Sequence, residues 1–437
     1  MHNPSRPPFG WFLLVMLGLV GCSESTPPPL ADLLPSVGGV PAPENAVSVD
    51  FPHTLHHIRA ADLDGDGRLD LILASHVSSW IETFHQEADR GFATSGSLKN
   101  PGFHPNGTLV MTEDDGQGYI LLNAETANAV RTYRASRGTA AESIGDVFVP
   151  APELSILVEW PSWGHTLAVV PKTGAQVYLG KGFRPSAPAA APLEVVEVSE
   201  RSHLRLAGLA AADLDGGGTP AVIVSVQREG RLVAIRPAGP DPAGNDQFLV
   251  DDIWSFDRLQ FVHLVLPVDF NGDGLDDLIL LGEQKPDATL LLSDGKGGFT
   301  ERTFPILAHD AQRGIQSAEL TRELDGSLLL WAFGERGLVV LRWGMDRSRP
   351  PERFDYARPG PDKVRLAAAD LDGDGHDDLV MGSSVGFVPT TVLYGPLLPK
   401  LEAIGEWLGA LAHEEEAASE AAGSPRITPS AAEQQNH

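Results

Sequence analysis

The sequence has 437 residues and one cysteine, Cys22. A single thiol excludes disulfide bonds within the chain, so a packed core has to stabilise the fold. Hydrophobic residues make up 42% of the sequence and aromatic residues 7%, which is ordinary for a globular protein. The chain is long enough to bury a large core without covalent cross-links.

Positive charge is scarce. The chain has 32 Lys and Arg against 59 Asp and Glu, a formal net charge of −27. Nucleic acid is excluded as a partner, because its phosphates require a basic surface. The same charge opposes electrostatic docking on anionic lipid. Two explanations of the acidity stay open: solubility in an extracellular or salty medium, and binding of cations.

The chain also lacks an apolar run that could span a bilayer. The apolar stretch at residues 9–20 has twelve residues, and a spanning helix needs about twenty. It follows a weakly positive start and ends in Leu-Val-Gly-Cys22, which resembles the lipobox of bacterial lipoproteins. In that family the cysteine is lipidated and becomes the first mature residue. We therefore expect a signal peptide at residues 1–21 and a membrane anchor on Cys22.

The lipobox resemblance implies a location in the bacterial cell envelope. Ser23 follows the cysteine where an Asp would resemble an inner-membrane retention signal. For a Gram-negative host this favours the outer membrane, with the folded domain facing either the periplasm or the exterior.

The two ends of the chain differ from its middle. Residues 22–45 are proline-rich and are expected to form an extended tether. Near the other end, Leu401, Ile404, Leu408 and Leu411 have helical spacing, which predicts a short helix at residues 401–412 packed on the domain. Residues 413–437 are rich in Ala, Glu, Ser and Gln, and are expected to be a disordered acidic tail.

Residues 62–70 carry the most informative motif. Asp62, Asp64, Asp66 and Asp70 stand at loop positions one, three, five and nine, before a short apolar segment of strand type. Oxygen ligands at alternating positions, with a glycine for the sharp turn, are what Ca²⁺ requires of a loop. Arg68, at position seven, offers only its backbone carbonyl to an ion.

The motif recurs in two further complete copies. The second has Asp269, Asn271, Asp273 and Asp277 with the carbonyl of Leu275, and the third has Asp370, Asp372, Asp374 and Asp378 with the carbonyl of His376. Asn271 lowers the charge of the second set and is expected to weaken it. A partial copy at residues 213–221 keeps only Asp213 and Asp215.

The spacing of the copies predicts the architecture. Their starts at 62, 213, 269 and 370 are separated by near multiples of roughly fifty residues, a period typical of propeller blades. Eroded copies near Met111, Glu159 and Thr321 fill the gaps, and all seven units share a glycine at position six. The prediction is an all-β, seven-bladed β-propeller at residues 46–400, with positive φ at these glycines. The strand at 47–51 is expected to pair with the last blade and close the ring.

The acidic loop between strands, the period and the trailing Gly-Phe pairs at 91–92, 182–183 and 298–299 resemble the FG-GAP or VCBS repeats of integrin-α-type β-propellers. The resemblance implies about three bound Ca²⁺ ions that rigidify blades and perform no chemistry. EF-hands and dockerins fit poorly, because they need a carboxylate at position twelve, where this chain has Leu73, Leu280 and Met381. Acidic turns without metal are the alternative.

No catalytic motif is present: there is no nucleophile elbow, phosphate loop or Cys/His cluster. We therefore predict that the protein is not an enzyme. The prediction is a lipid-anchored, calcium-binding propeller that serves as a binding or assembly scaffold for a protein or carbohydrate ligand. One alternative is an envelope hydrolase with its active site at the central channel, since propellers host both kinds of function. Another is a calcium-dependent structural spacer.

Overall fold

The computed structural model describes residues 40, 42–75, 78–99, 105–113, 115–135, 141–190, 193–201, 204–240, 246–256, 261–282, 287–306, 314–334, 337–357, 364–383 and 389–421. The expected signal peptide, Cys22 and most of the expected tether lie outside these residues. Within the part that is described, no helix is both long and apolar enough to cross a membrane.

The described residues form seven four-stranded antiparallel sheets. The chain enters through β1 (Ala46–Ser48). Blade 1 contains β2 (His57–Ala61), β3 (Asp70–Ser75), β4 (Trp80–Gln86) and β5 (Phe92–Lys99). Blade 2 contains β6 (Pro105–Thr112), β7 (Gly118–Ala124), β8 (Ala129–Arg134) and β9 (Glu142–Phe148). Blade 3 contains β10 (Pro152–Trp160), β11 (Gly164–Pro171), β12 (Gln176–Gly180) and β13 (Leu193–Glu197).

Blade 4 contains β14 (Leu206–Ala212), β15 (Ala221–Val226), β16 (Arg231–Pro240) and β17 (Asp246–Ser255). Blade 5 contains β18 (Val262–Val268), β19 (Asp277–Gly282), β20 (Asp287–Ser293) and β21 (Phe299–Pro305). Blade 6 contains β22 (Ser317–Arg322), β23 (Leu328–Gly334), β24 (Gly337–Trp343) and β25 (Glu352–Ala357). Blade 7 contains β26 (Val364–Ala369), β27 (Asp378–Ser383) and β28 (Thr391–Leu393), and the helix α1 (Leu401–Ala421) follows.

The sheets are arranged in a closed ring. The first strand of each blade contacts the first strands of both neighbouring blades, and β26 of blade 7 returns to β2 of blade 1. The first strands therefore surround a central channel, and the acidic connections between first and second strands lie together at one end of it. The predicted seven-bladed β-propeller is confirmed.

Strand β1 closes the ring by completing the last blade. It pairs with β28 in antiparallel register, with Val47 opposite Val392, and becomes the fourth strand of blade 7. This pairing was expected, although the strand is shorter than residues 47–51. Joining the chain's beginning to its last blade gives blade 7 the same four strands as the other blades and links the two ends of the ring.

The core lies between the blades. Second strands such as β3, β15 and β19 are buried along their whole length, because each is covered on both faces by neighbouring blades, and their residues are accordingly mostly apolar. Trp160 and Trp163 pack in the cluster between blades 3 and 4, with ring centroids 5.4 Å apart. Fourth strands such as β17 are largely exposed.

Helix α1 packs on the propeller, as predicted, but it is longer than expected. Leu401, Ile404, Trp407 and Leu408 are buried against blades 6 and 7. The expected end at residue 412 is wrong, because the helix continues to Ala421, into the segment expected to be disordered. Ala and Glu dominate residues 413–421, and both residue types are strong helix formers that continue a helix once it is nucleated. Residues 422–437 lie outside the described part.

Candidate functional site: the acidic loops

The connections between first and second strands fall into two groups by length. Strand pairing leaves eight residues in the connections of blades 1, 4, 5 and 7, which begin at Asp62, Asp213, Asp269 and Asp370. The connections of blades 2 and 6 have five residues, and that of blade 3 has three.

The interpretation of Met111, Glu159 and Thr321 as first positions of eroded copies is therefore wrong. All three residues lie within first strands. In blades 2 and 6 the short turn closes on itself, because Glu113 N donates to Gln117 O at 3.0 Å and Glu323 N donates to Ser327 O at 3.0 Å. These turns are too short to present ligands from positions one to nine.

The glycine shared by all seven units has positive φ throughout. Its φ is 85° at Gly67, 84° at Gly274 and 88° at Gly375, and in the short turns it is 81° at Gly116 and 78° at Gly326. This confirms the expected backbone requirement. Because it holds at connections of all three lengths, the glycine serves the strand connection itself and not a particular ligand set.

The first aspartate folds each long loop around its own carboxylate. Gly67 N donates to Asp62 Oδ2 at 3.0 Å, and Gly65 N donates to Asp62 Oδ1 at 2.7 Å. The same glycine-to-aspartate bond, at 2.8–3.1 Å, joins Gly218 to Asp213, Gly274 to Asp269 and Gly375 to Asp370. The loop is therefore organised around an anionic centre.

Loop positions one, three and five converge in blades 1 and 7. One carboxylate oxygen each from Asp62, Asp64 and Asp66 lie within 4.8 Å of one another, and so do those from Asp370, Asp372 and Asp374. Like charges this close repel each other unless a cation stands between them. In blade 5 the amide Nδ2 of Asn271 donates to Asp273 Oδ2 at 2.8 Å, so one repulsive pair is replaced by a hydrogen bond.

The aspartate at the ninth position is buried and forms hydrogen bonds that connect the loop to the third strand. Asp70 accepts hydrogen bonds from Leu63 N and Gln86 N, each at 3.1 Å. Asp277 accepts from Phe270 N and Ser293 N, and Asp378 from Leu371 N and Gly395 N. Each carboxylate thereby ties its loop to the end of the third strand.

Burial disfavours the charged form of these ninth-position groups. It raises the pKa of Asp277 to about 6 and that of Asp378 to about 7, against the lowering effect of the two backbone hydrogen bonds. The pKa of Asp70 is raised for the same reason. A cation beside these carboxylates favours the charged form and offsets the cost of burial.

The sequence predicts that position seven offers its backbone carbonyl to an ion, and the contact formed there in the structure is a hydrogen bond from the backbone amide. The amides of Arg68, Leu275 and His376 donate to the position-five carboxylates at 2.9–3.0 Å. The Arg68 side chain has a further role, because its guanidinium contacts Asp66 and its Nε donates to Gln86 O at 3.1 Å.

Sequence reasoning missed two basic residues that reach the acidic loops of blades 1 and 7. Arg90 lies between β4 and β5 of blade 1, yet its Nη2 is 2.6 Å from Asp372 Oδ2 in the loop of blade 7. Its guanidinium also lies over the Tyr394 ring, 5.2 Å from the centroid. Burial raises the pKa of Asp372, and Arg90 opposes the rise. The Gly-Phe pair after Arg90 marks the turn, but nothing local indicates its partner.

The second missed residue is His85 of β4. Its imidazole is buried among the carboxylates of the blade 1 loop, with Nδ1 2.9 Å from Asp70 Oδ1. It stands fifteen positions after Asp70 in the sequence, and only the pairing of β3 with β4 brings the two together.

Position eight links neighbouring blades. Asp276 Oδ2 accepts a hydrogen bond from Asp213 N at 2.7 Å, and Asp276 N donates to Asp213 O at 2.9 Å. Asp377 Oδ2 accepts from Arg322 N at 2.5 Å in the same manner. The Asp-Asp doublets in the sequence were a usable signal for this second role.

The loop of blade 4 is built differently. Arg236 Nη1 lies 3.5 Å from Asp215 Oδ2. A guanidinium therefore occupies part of the space that the carboxylates of positions five and nine line in the complete loops. The ninth position is Ala221, whose side chain cannot form the hydrogen bonds to the third strand. With two carboxylates and an internal cation, this loop is a poor metal site.

The loops of blades 1 and 7 fit a divalent cation. Each presents four carboxylates, and blade 7 retains a net negative charge after the single positive charge of Arg90 is counted. Asp370 Oδ1 is buried and has no hydrogen-bond partner among the described residues. A buried oxygen without a donor is costly unless a cation satisfies it. Blade 5, with three carboxylates and one amide, fits less well.

A second group of charged residues lines the central channel. Arg59 of β2, Glu319 of β22 and Arg365 of β26 all project from first strands. Arg59 Nε donates to Thr108 O of the next blade at 2.9 Å. Burial raises the pKa of Glu319 to about 7, although the charge of Arg59 lowers it.

Comparison with known protein families identifies one repeat of the chain. The family model described as FG-GAP repeat matches residues 364–392, which contain β26, the acidic loop of blade 7 and β27. A crystal structure of a protein from Lactobacillus plantarum is similar over 55% of this chain and 69% of its own, with 12% sequence identity and a TM-score of 0.42. No match was found among curated proteins. The chain is a seven-bladed β-propeller that carries an FG-GAP repeat at residues 364–392.

Proposed function

We propose that the protein is a non-catalytic binding or assembly scaffold of the bacterial cell envelope, anchored through a lipidated Cys22. Its acidic loops in blades 1, 5 and 7 hold divalent cations, with calcium in the all-oxygen loops of blades 5 and 7. The ligand is a protein or a carbohydrate. FG-GAP propellers support a binding or scaffold role, and the lipobox-like sequence before Cys22 supports the anchor.

The observation that carries the metal part is the loop of blade 7. Carboxylate oxygens of Asp370, Asp372 and Asp374 converge within 4.8 Å, and Asp370 Oδ1 is buried without a hydrogen-bond donor among the described residues. When bound, calcium supplies the missing positive charge and draws the loop together. Because Asp378 connects this loop to the third strand, a filled loop stiffens the whole blade.

Calcium-dependent thermal stability tests this part. Binding of one ion at a hundred times its Kd stabilises the folded chain by about 2.7 kcal/mol, so the wild type should melt several degrees higher in calcium than in chelator. Asp372→Ala and Asp273→Ala remove ligands of blades 7 and 5, and the double variant should lose most of the difference.

Asp251→Ala is the matched control, since Asp251 is exposed on the outermost strand of blade 4. It removes the same charge and should leave the calcium effect intact. Equal melting of the wild type in calcium and chelator would contradict the metal part of the proposal.

Cell fractionation tests the anchor. The full-length chain should appear in the membrane fraction, and Cys22→Ser, which cannot be acylated, should move it to the soluble fraction. Proximity labelling on intact cells then reports both the side of the membrane and the neighbouring molecules. A wild-type chain that stays in the soluble fraction would contradict the proposed location in the cell envelope.

The alternative function is an envelope hydrolase at the central channel. A specific observation favours it, because Glu319 combines a pKa raised to about 7 with a nearby arginine in a cleft, a combination typical of catalytic acids and bases. Screening the purified chain against ester, phosphoester and glycoside substrates separates the two functions. Robust turnover that Glu319→Gln abolishes favours the enzyme. The structural spacer is favoured if neither turnover nor a stable neighbour is found.

A further inference from the structure

His85 makes the acidic loop of blade 1 different from the other loops. Its side chain is 5% exposed. Nδ1 lies 2.9 Å from Asp70 Oδ1 and 3.2 Å from Asp64 Oδ2, while Nε2 lies 3.5 Å from Asp66 Oδ2. Carboxylate oxygens thus face both nitrogens of one buried imidazole.

A neutral imidazole cannot satisfy both sides. It has one N–H donor and one lone pair, so whichever nitrogen lacks the hydrogen turns its lone pair towards carboxylate oxygen. Among the described residues, Nε2 forms no hydrogen bond. The arrangement therefore requires an additional positive charge, which is either a second proton on the ring or a metal ion on the nitrogen.

The spacing of the donor atoms fits a shared ion. Asp64, Asp70 and His85 each present a ligand atom, and these atoms lie within 4.8 Å of one another. Two ligands about 2.1 Å from a tetrahedral metal ion stand about 3.4 Å apart, close to the 3.2 Å between His85 Nδ1 and Asp64 Oδ2. A small cavity of about 10 Å³ adjoins these residues, lined also by Thr83 and Ser95, and it has room for one small ion.

The corresponding residues of the other long-loop blades are not metal ligands. His85 follows Phe84, which pairs with Leu71 directly after the ninth loop position. The same register places Arg236 in blade 4, Leu292 in blade 5 and Tyr394 in blade 7. Calcium takes oxygen ligands, whereas an imidazole nitrogen suits zinc, copper, iron and nickel.

We propose that the loop of blade 1 is a transition-metal site, of which zinc is the representative ion, formed by His85, Asp64 and Asp70. The propeller then carries two classes of metal site: a nitrogen-containing one in blade 1 and all-oxygen ones in blades 5 and 7. The inference rests on the proposed function only in treating the acidic loops as metal sites.

Isothermal titration of the full-length chain, first stripped with chelator, tests the site with zinc chloride and, separately, with calcium chloride. The wild type should show a zinc site that His85→Leu weakens at least tenfold, while calcium binding is unchanged. Leucine is the residue that blade 5 has at this place, so it suits the fold of the strand. His165→Leu, at an exposed histidine of β11, controls for adventitious zinc binding.

Each outcome decides the matter. Zinc binding of equal strength in the wild type and His85→Leu overturns the inference, as does a wild type without a zinc site. If His85→Leu fails to fold by circular dichroism, His85→Tyr, copying blade 7, decides instead. Zinc binding through His85 without any calcium binding supports this inference and contradicts the calcium proposal. Calcium binding without zinc binding through His85 contradicts this inference and supports the calcium proposal.

Discussion

At Gly116 the need for a positive φ in the strand connection can be tested separately from metal binding. It lies in the short turn of blade 2, where φ is 81° and a Cβ atom would meet nothing within 4 Å. A steric clash with neighbours is therefore absent among the described residues, and the only cost of a side chain is the left-handed backbone. The glycine and the spacing of the loop carboxylates were both readable from the sequence, because both are local properties of the loop.

Gly116→Ala should lower the free energy of unfolding by about 1 kcal/mol. A left-handed conformation costs an L-residue about 1–2 kcal/mol, and part of this cost is offset because alanine reduces the conformational entropy of the unfolded chain. Chemical denaturation with and without calcium measures it, and the loss should be the same in both. Gly344→Ala is the control: Gly344 is also exposed with open space around it but has no positive φ, so the substitution should cost nothing. An equal loss at both positions contradicts the argument.

At the scale of elements, ring closure depends on the three residues of β1. Val47 is 4% exposed and packs in the cluster shared by blades 7 and 1. The alternation of residues 47–51 indicated a strand, but only the sheet shows that its partner β28 lies more than 340 residues away in the chain. Such a contact has no local signature.

Val47→Asp places a charge in this interface and should cost more than about 3 kcal/mol of unfolding free energy. Val195→Asp makes the same change on the fourth strand of blade 3, where Val195 is 48% exposed, and should cost less than about 0.5 kcal/mol. Denaturant midpoints of the two variants measure the difference. Similar midpoints would mean that β1 does not hold the ring together.

Helix α1 is attached through its buried face. Trp407 is fully buried in the cluster that joins the helix to blades 6 and 7. Trp407→Ala removes this contact and should undock the helix, so its amide hydrogens should exchange faster while those of the second strands stay protected. Glu406→Ala, on the exposed side, should change neither. Unchanged exchange in Trp407→Ala contradicts the docking role of this residue.

At the scale of the whole molecule, the ring creates a channel whose environment no single blade possesses. Glu319 lies on the wall of this channel, and its pKa is raised to about 7 from an ordinary value of 4.5. Between these two values the unfolded chain has released its proton while the folded chain keeps it, so this residue makes the fold less stable as pH rises.

Glu319→Gln should therefore be more stable than the wild type at pH 8 and equal to it near pH 4. The shift corresponds to about 3 kcal/mol at most, and solvent screening of this half-buried side chain lowers the expected effect to about 1–2 kcal/mol. Unfolding free energies measured from pH 4 to pH 8 give the difference curve. Glu301→Gln, exposed on β21, is the control, and a flat curve for Glu319→Gln contradicts the raised pKa.

The sequence by itself determined the number of blades, the positions of the clustered carboxylates and the glycine conformation, because repeat period, carboxylate spacing and turn chemistry are properties of short segments. It misjudged the turns of blades 2, 3 and 6, since a glycine alone does not report how long a connection is. Only the tertiary structure placed His85 beside Asp70, Arg90 against Asp372 and Glu319 in a common channel with Arg59. Those contacts arise from strand register and from closure of the ring, which join residues that no local pattern connects.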